Sequence, residues 1–170
     1  MGKDIHTKIY KYNINDNKWH ELILFRQNNE EEMIPVDIYP YRNYYLFDIL
    51  SNDHDDEYGD FPNHISIHIN SYADAEKEQI EKIMDTSGCY NFNEVSVLAM
   101  KYYLKNAPKV KDYDVEWGED ENGTPIPAYC DNPVKDYFDA IMKFIEFASP
   151  RWILSDGDLE EYRVFYYFDC

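Results

Sequence analysis

The stretch Tyr162-Arg163-Val164-Phe165-Tyr166-Tyr167-Phe168 indicates a β-strand close to the end of the chain. It follows a turn predicted at Asp156-Gly157-Asp158. Five of the seven residues in the stretch are aromatic, and aromatic residues are enriched in strands. Any sheet in this protein is therefore expected to include this closing strand.

The first residues of the chain predict a hairpin that could share that sheet. Ile5–Tyr12 and Trp19–Phe25 are strand-like, and Asn13–Lys18 between them is rich in Asn and Asp, which tolerate left-handed turn geometry. Three shorter strands are expected at Val36–Tyr39, His64–Ile69 and Tyr113–Trp117. The second of these alternates cleanly between Ile and polar residues, as a half-buried strand does.

Helical patterns occupy the middle of the chain. Four helices are predicted, at Tyr44–Leu50, Ala75–Met84, Glu94–Leu104 and Val134–Ala148. The last has the clearest apolar stripe. Asn43 and Asn93 are the expected N-caps of the first and third helices, because an Asn side chain accepts a bond from a free helical N–H. Ser71 and Asp74 resemble a capping pair for the second helix.

Strands at both ends of the chain with helices between them predict the α+β class. We expect a single domain over residues 1–170, with a mainly antiparallel sheet formed by the N- and C-terminal strands and three to four helices packed on it. A chain of 170 residues can bury about two-thirds of its unfolded surface, so a sizeable core is expected.

The charge balance is strongly acidic. The chain has 34 Asp and Glu against 16 Lys and Arg, a formal net charge of −18. Such a field repels nucleic acid and anionic membranes and attracts basic surfaces, so direct nucleic-acid or membrane binding is not expected. Two interpretations are open: the acidity serves only solubility, or it imitates nucleic acid toward a basic protein.

The three cysteines are widely spaced, at Cys89, Cys130 and Cys170, and form no C-x-x-C pair. This pattern disfavours a disulfide framework and a structural zinc site, and it favours a reducing compartment. No apolar N-terminal stretch resembles a signal peptide, and no run is long enough to span a bilayer. We therefore expect a cytoplasmic protein.

No complete catalytic or metal-binding motif is found. The acidic loop after Asp53 has Tyr58 and His64 where a calcium loop of the EF-hand type needs Gly and Glu. His64 and His68 would lie about 13 Å apart on one strand, too far to share a metal ion. The phosphate-binding, dinucleotide-binding and hydrolase signatures are missing. Neither a metal nor a cofactor is therefore predicted, and no catalytic residue is assigned.

Arginine is scarce, and two of the four arginines have aromatic neighbours. Arg42 lies in Tyr41-Arg42-Asn43-Tyr44, and Arg163 lies in Tyr162-Arg163-Val164-Phe165. An arginine beside aromatic rings can hold a phosphate while the rings stack on a base. The alternative is that each arginine pairs with a carboxylate and covers the aromatic core. The predicted ligand-binding residues are Arg42, Asn43, Tyr44, Arg163 and Phe165.

Two segments carry a resemblance to a known group of proteins. Arg42–Leu50 resembles the R-N-Y-x-L-F-x-[IM]-L segment of a widespread family of small phage and prophage proteins, in which it follows an N-terminal hairpin. Arg163–Asp169 resembles that family's closing R-V-x-F-x-F-D strand. The middle of the chain departs from the family's pattern. The resemblance implies a viral or mobile-element origin and a role in countering host defence, in the cytoplasm of the host cell.

Three functional hypotheses follow. The first is a non-catalytic binding protein that sequesters a nucleotide-derived immune signal. The second is an acidic nucleic-acid mimic that inhibits a basic host defence protein such as a CRISPR effector. The third is an enzyme, a phosphodiesterase or nuclease that uses Asp and His. The expected partner is therefore a nucleotide-type small molecule or a basic protein, and homo-oligomerisation is left open.

Overall fold

A computed structural model describes residues 4–52, 59–63, 69–85, 90–149 and 154–169. Its strands are β1 (Asp4–Asn13), β2 (Lys18–Leu22), β3 (Phe25–Gln27), β4 (Met33–Pro35), β5 (Tyr90–Ser96), β6 (Val110–Lys111), β7 (Gly118–Glu119), β8 (Pro125–Ile126), β9 (Tyr129–Cys130) and β10 (Tyr162–Asp169). Its α-helices are α1 (Tyr44–Ser51), α2 (Asp74–Met84), α3 (Val97–Lys105), α4 (Val134–Ala148) and α5 (Asp156–Leu159), and a 3₁₀ turn covers Ile69–Ser71.

The main sheet has four antiparallel strands in the order β2-β1-β10-β5. β10 lies in its interior between the first and the fifth strands, with Asp4 opposite Asp169 and Tyr10 opposite Arg163. The predicted α+β class, with a sheet built from both ends of the chain, is confirmed. The remaining strands form three separate two-stranded ladders.

Side chains of β10 alternate between two apolar clusters because successive residues of a strand point to opposite faces. Tyr162, Val164, Tyr166 and Phe168 enter the larger cluster, which α1, α3 and α4 cover. Phe165 enters the smaller cluster on the other face, which α2 covers through Ile80. The sheet therefore carries helices on both faces.

Several predicted elements match the structure closely. The N-terminal hairpin, the helix predicted at Val134–Ala148 and the closing strand are all present. Asn43 caps α1, since its side-chain oxygen accepts a hydrogen bond from the N–H of Leu46 at 3.1 Å. The second strand of the hairpin ends at Leu22 and a new one begins at Phe25, so the continuous strand Trp19–Phe25 was wrong in its C-terminal part.

The structure corrects the predicted helix over Glu94–Leu104. Asn93 and Glu94 lie in β5, opposite Tyr166 and Phe165 of β10, and both are buried. The helix begins three residues later, where the Ser96 hydroxyl accepts a hydrogen bond from the N–H of Ala99 at 3.0 Å. Both Asn93 and Ser96 are residue types that can cap a helix. Because Asn93 pairs with Tyr166 of β10, it stays in the strand, and Ser96 is the N-cap.

Two predicted strands are not formed. Val36–Tyr39 is not a strand, because β3 pairs with Met33–Pro35 across a tight turn in which Glu31 has a left-handed backbone. Tyr113–Trp117 is irregular, and the Trp117 indole N–H donates to the carbonyl of Asp112 at 2.6 Å. The predicted strand His64–Ile69 falls almost entirely outside the described residues, as does most of the acidic loop after Asp53.

Two predicted helix-end and turn features also differ. Ser71 and Asp74 do not form a capping pair, because Ala73 occupies the N-cap position of α2 and no side chain caps it. The predicted turn Asp156–Asp158 lies inside α5. Ser155 and Asp158 cap the N-terminus of this helix with a reciprocal capping box.

Replacing Asn43 with Ala is expected to lower the free energy of unfolding by about 1 kcal/mol, because α1 loses its N-cap. Asn43→Asp keeps an acceptor oxygen at the cap and should retain most of the stability. Urea unfolding monitored by circular dichroism measures both changes. Equal losses in the two variants would contradict the capping role.

A charged pair lies between the sheet and α2. Lys8 Nζ is 3.6 Å from Glu21 Oε1, and both side chains are largely buried. Burial raises the pKa of Glu21 above its ordinary value, an effect that the neighbouring Lys8 only partly offsets. The ionised form of Glu21 is therefore less favourable in the folded protein than in the unfolded chain.

The stability of the wild-type protein relative to a Glu21→Gln variant is expected to fall as pH rises. A raised folded-state pKa gives a contribution that is present below the unfolded value of about 4.3 and is lost as pH passes the folded value. Urea unfolding of both proteins at a series of pH values between about 4 and 7 measures the difference. A difference that stays constant, or that grows in favour of the wild type, would contradict this expectation.

Candidate functional site

Arg42 already has an anionic partner. Its Nε lies 2.5 Å from Asp4 Oδ1 and its Nη2 lies 3.2 Å from Asp4 Oδ2, a two-point contact between guanidinium and carboxylate. The contact lowers the pKa of Asp4 and raises the pKa of Arg42. The pair is solvent-exposed, so we expect it to contribute little to stability.

The two residues after Arg42 have different surroundings. Asn43 uses its side-chain oxygen to cap α1, so that oxygen is committed to the backbone. Tyr44 is 58% exposed, and its ring meets Phe47 edge to face with the centroids 6.0 Å apart. Of the residues proposed around Arg42, Tyr44 is the one whose ring is available to a ligand.

Arg163 belongs to a buried polar cluster. Its Nη1 donates to Glu94 Oε1 at 3.2 Å, and its guanidinium carbon lies 4.3 Å from the centre of the Trp19 ring. The Tyr72 hydroxyl donates to the other oxygen of Glu94 at 2.6 Å. Phe165 is fully buried beside them. These contacts match the alternative in which the arginine pairs with a carboxylate and covers aromatic core.

The structure does not bring the five predicted ligand-binding residues together. Arg42 contacts Asp4, which lies opposite Asp169, whereas Arg163 lies six residues earlier on β10. That separation is about 20 Å along a strand. Within the part of the chain that the structure describes, no single pocket can therefore hold a ligand that bridges both arginines.

A different acidic feature stands out between α3 and α4. We call residues Asp112–Asp131 the acidic arm. The ladder of β6 with β9 joins the arm to the rest of the chain, with Lys111 of β6 just outside the arm and opposite Tyr129, and the ladder of β7 with β8 lies further out. Seven carboxylates fall in the arm, and no Lys or Arg does. The acidic residues are Asp112, Asp114, Glu116, Glu119, Asp120, Glu121 and Asp131.

Apolar side chains are exposed on the same arm. Tyr113, Val115, Ile126 and Tyr129 are between 48% and 59% exposed. Aromatic rings on a protein surface can provide large contact areas at low conformational cost. The arm therefore presents carboxylates and exposed rings together, the combination that a basic and partly apolar partner surface complements.

Local contacts hold the arm in a defined conformation. Asp120 accepts hydrogen bonds from the N–H groups of Asn122 and Thr124 at 2.8 and 2.9 Å, and these bonds lower the pKa of Asp120. Gly123 takes a positive φ of 76° in the same turn. The Tyr45 hydroxyl of α1 accepts from the N–H of Tyr113 at 2.9 Å. The arm is thus tied both to itself and to the domain.

The sequence contained a signal for this site, although the prediction there was a short strand at Tyr113–Trp117. The signal is the absence of Lys and Arg between Lys111 and Lys135, in a stretch that also holds two tyrosines and a tryptophan. The exposure of the rings could not be predicted, because it depends on which helices the arm contacts.

Among the described residues, no group of three or more His, Cys, Asp or Glu side chains is placed to hold a metal ion. No helix among them is both long enough and apolar enough to cross a membrane. Comparisons with protein-family models, with curated proteins and with solved structures found no match to this chain.

Proposed function

We propose that this protein is a non-catalytic binding protein that uses its acidic arm to occupy the nucleic-acid-binding surface of a basic protein. The target class is a host defence protein such as a CRISPR effector, in line with the counter-defence role that the phage resemblance implies. The observation that carries the proposal is the arm itself, with seven carboxylates, no cation and four exposed apolar side chains.

The chemistry of the arm parallels that of a single nucleic-acid strand. Proteins bind such strands by placing cations along the phosphates and aromatic side chains against the bases. The arm offers carboxylates in place of phosphates, and the exposed rings of Tyr113 and Tyr129 in place of bases. The net charge of −18 adds a long-range attraction that speeds encounter with a basic partner.

Neutralising three exposed carboxylates of the arm is expected to weaken the complex by about tenfold or more. The variant is Glu116→Gln, Glu119→Gln and Glu121→Gln combined. Three interfacial charge contacts at about 0.5–1 kcal/mol each account for that change. Displacement of labelled DNA from a purified basic effector, followed by fluorescence anisotropy, measures the affinity.

A matched control changes three exposed carboxylates elsewhere: Glu78→Gln and Glu81→Gln on α2, with Glu160→Gln. Both triple variants lose three negative charges, which takes the formal net charge from −18 to −15. The control is expected to bind like the wild type. Equal weakening in both variants would show that overall charge, and not the arm, drives the binding.

Sequestration of a nucleotide-derived immune signal stays a prediction. It would centre on Arg42 and Tyr44, because Arg163 is held by Glu94 at a distance from them. Heat release of co-purified ligand followed by mass spectrometry tests it, using protein expressed beside active nucleotide-signalling defence systems. An Arg42→Ala variant that retains the same nucleotide would contradict the assignment of that residue.

A further inference from the structure

Residues 36–41 form a wall between two depressions on the surface of the domain. Asp37, Pro40 and Tyr41 line both depressions. One depression is apolar and lies against α4, and the other is acidic and lies against the beginning of β1. The two are therefore adjacent parts of one surface, separate from the acidic arm.

The apolar depression is a groove of about 490 Å³. We call it the α4 groove. Its lining is mainly apolar, with Leu24, Ile38, Phe144 and Phe147 among the residues, and it also includes the oppositely charged Asp139 and Lys143 of α4. Phe147 is 71% exposed and Tyr41 is 67% exposed, so two aromatic rings at the groove are open to solvent. The volume is sufficient for one or two apolar side chains of a partner.

The second depression is a smaller pocket of about 250 Å³, which we call the acidic pocket. The carboxylates of Asp4 and Asp37 line it, together with the ring of His6, a nitrogen of which lies 2.6 Å from Asp169. The positive charge of Arg42 balances the negative charge of Asp4. Asp37 accepts from the N–H of Tyr39 at 3.2 Å, which fixes its carboxylate.

Aromatic rings complete the acidic pocket. Tyr39 and Tyr41 line it and meet edge to face, with their centroids 5.4 Å apart. A cation held over an exposed tyrosine ring beside a carboxylate gains from both groups. Among the described residues, Asp4 and Asp37 are the carboxylates that line the pocket, and Arg42 balances only that of Asp4, so the pocket complements a cationic group and disfavours an anionic one.

We propose that the α4 groove and the acidic pocket together form a docking surface for an extended segment of a partner protein that presents an apolar side chain next to a Lys or Arg. The apolar side chain enters the groove and the cation enters the pocket, across the shared wall at Asp37 and Tyr41. A second copy of this chain fits less well, since two molecules of net charge −18 repel each other. The inference does not depend on the function proposed for the acidic arm.

Three labelled synthetic peptides test the proposal: S-G-L-F-R-G-S, S-G-L-F-Q-G-S and S-G-L-F-E-G-S. Fluorescence anisotropy with the full chain should give the tightest binding for the Arg peptide, about fivefold or more tighter than for the Glu peptide. Asp37→Asn keeps the acceptor for the Tyr39 N–H but removes the charge. In this variant the ratio of the affinities for the Arg and the Glu peptide should therefore approach one. Phe147→Ser should weaken all three peptides.

The exposed Met84 on α2 provides a control, and Met84→Ser should change neither the affinities nor the preference. Equal binding of the three peptides, or no binding of any, would overturn the proposal. Sedimentation velocity at the same protein concentration supplies a further check. A dimer that Phe147→Ser abolishes would assign the groove to a second copy and would also overturn the proposal.

Discussion

Replacing Arg163 with Met is expected to lower the free energy of unfolding by about 3–5 kcal/mol. The carboxylate of Glu94 is almost completely buried, and Arg163 is the cation that the structure places beside it, at 3.2 Å. Without the guanidinium, Glu94 would keep the hydroxyl of Tyr72 as a donor but would lose its opposing charge. The contact between the guanidinium and the Trp19 ring would be lost as well.

The double variant Arg163→Met with Glu94→Gln separates loss of charge balance from loss of packing. A neutral amide at position 94 needs no counter-charge, so the double variant should recover much of the stability lost in the single one. Urea unfolding of the wild type and the two variants provides the comparison. A cost below about 1 kcal/mol in the single variant, or no recovery in the double one, would contradict the structural role of Arg163.

Replacing Phe168 with Ala is expected to cost about 3–5 kcal/mol, because it opens a cavity in the larger apolar cluster. Phe168 is 1% exposed, and its ring packs against that of Phe47 in α1 with the centroids 5.2 Å apart. Chemical unfolding followed by circular dichroism measures the change. The loss would be a large fraction of the 5–15 kcal/mol that holds a typical domain folded.

The neighbouring residue on β10 is a matched control on the opposite face of the sheet. Tyr167 is partly exposed and stacks on His6 and Phe92, with centroid distances of 4.7 and 5.1 Å. Tyr167→Ala should cost about 1 kcal/mol, mainly from the lost stacking. If the two substitutions cost the same, the assignment of the two faces of β10 would be wrong.

Periodicity predicted the elements whose burial follows from local sequence. The apolar stripe over Val134–Ala148 has a single helical face that matches the core, and the observed helix has the same bounds. Asn43 is followed at once by a helical pattern, so its capping role could also be predicted. In these segments local preference and tertiary packing favour the same conformation.

Elements that depend on long-range pairing could not be predicted. The segment Asn93–Ser96 satisfies helix-capping rules at two positions, but Val95 lies opposite Val164 in the sheet, and this pairing extends the strand to Ser96. Val36–Tyr39 has strand-like residues, yet β3 is already paired with Met33–Pro35. Sequence propensity does not indicate which partner a strand will find.

The candidate site, too, could be predicted only in part from the sequence. That arginines are scarce and have aromatic neighbours could be seen in the sequence, and the alternative of a carboxylate partner describes what the structure has at Arg42 and Arg163. Which carboxylates they meet could not be predicted, since Glu94 is 69 residues from Arg163 in a chain with 34 acidic residues. The α4 groove likewise forms only when residues 36–41 contact a helix that lies about a hundred residues later in the chain.

Competition with nucleic acid for a basic defence protein tests the proposed function most directly. Labelled DNA would be titrated off a panel of purified CRISPR effectors with the wild type, the arm variant and the α2 control variant, at low and at raised salt. We expect the wild type and the control to displace DNA from at least one effector, with affinity that falls as salt rises, and the arm variant to be weaker by about tenfold or more. Failure to displace DNA from any effector, or equal displacement by all three proteins, would contradict the role of the arm.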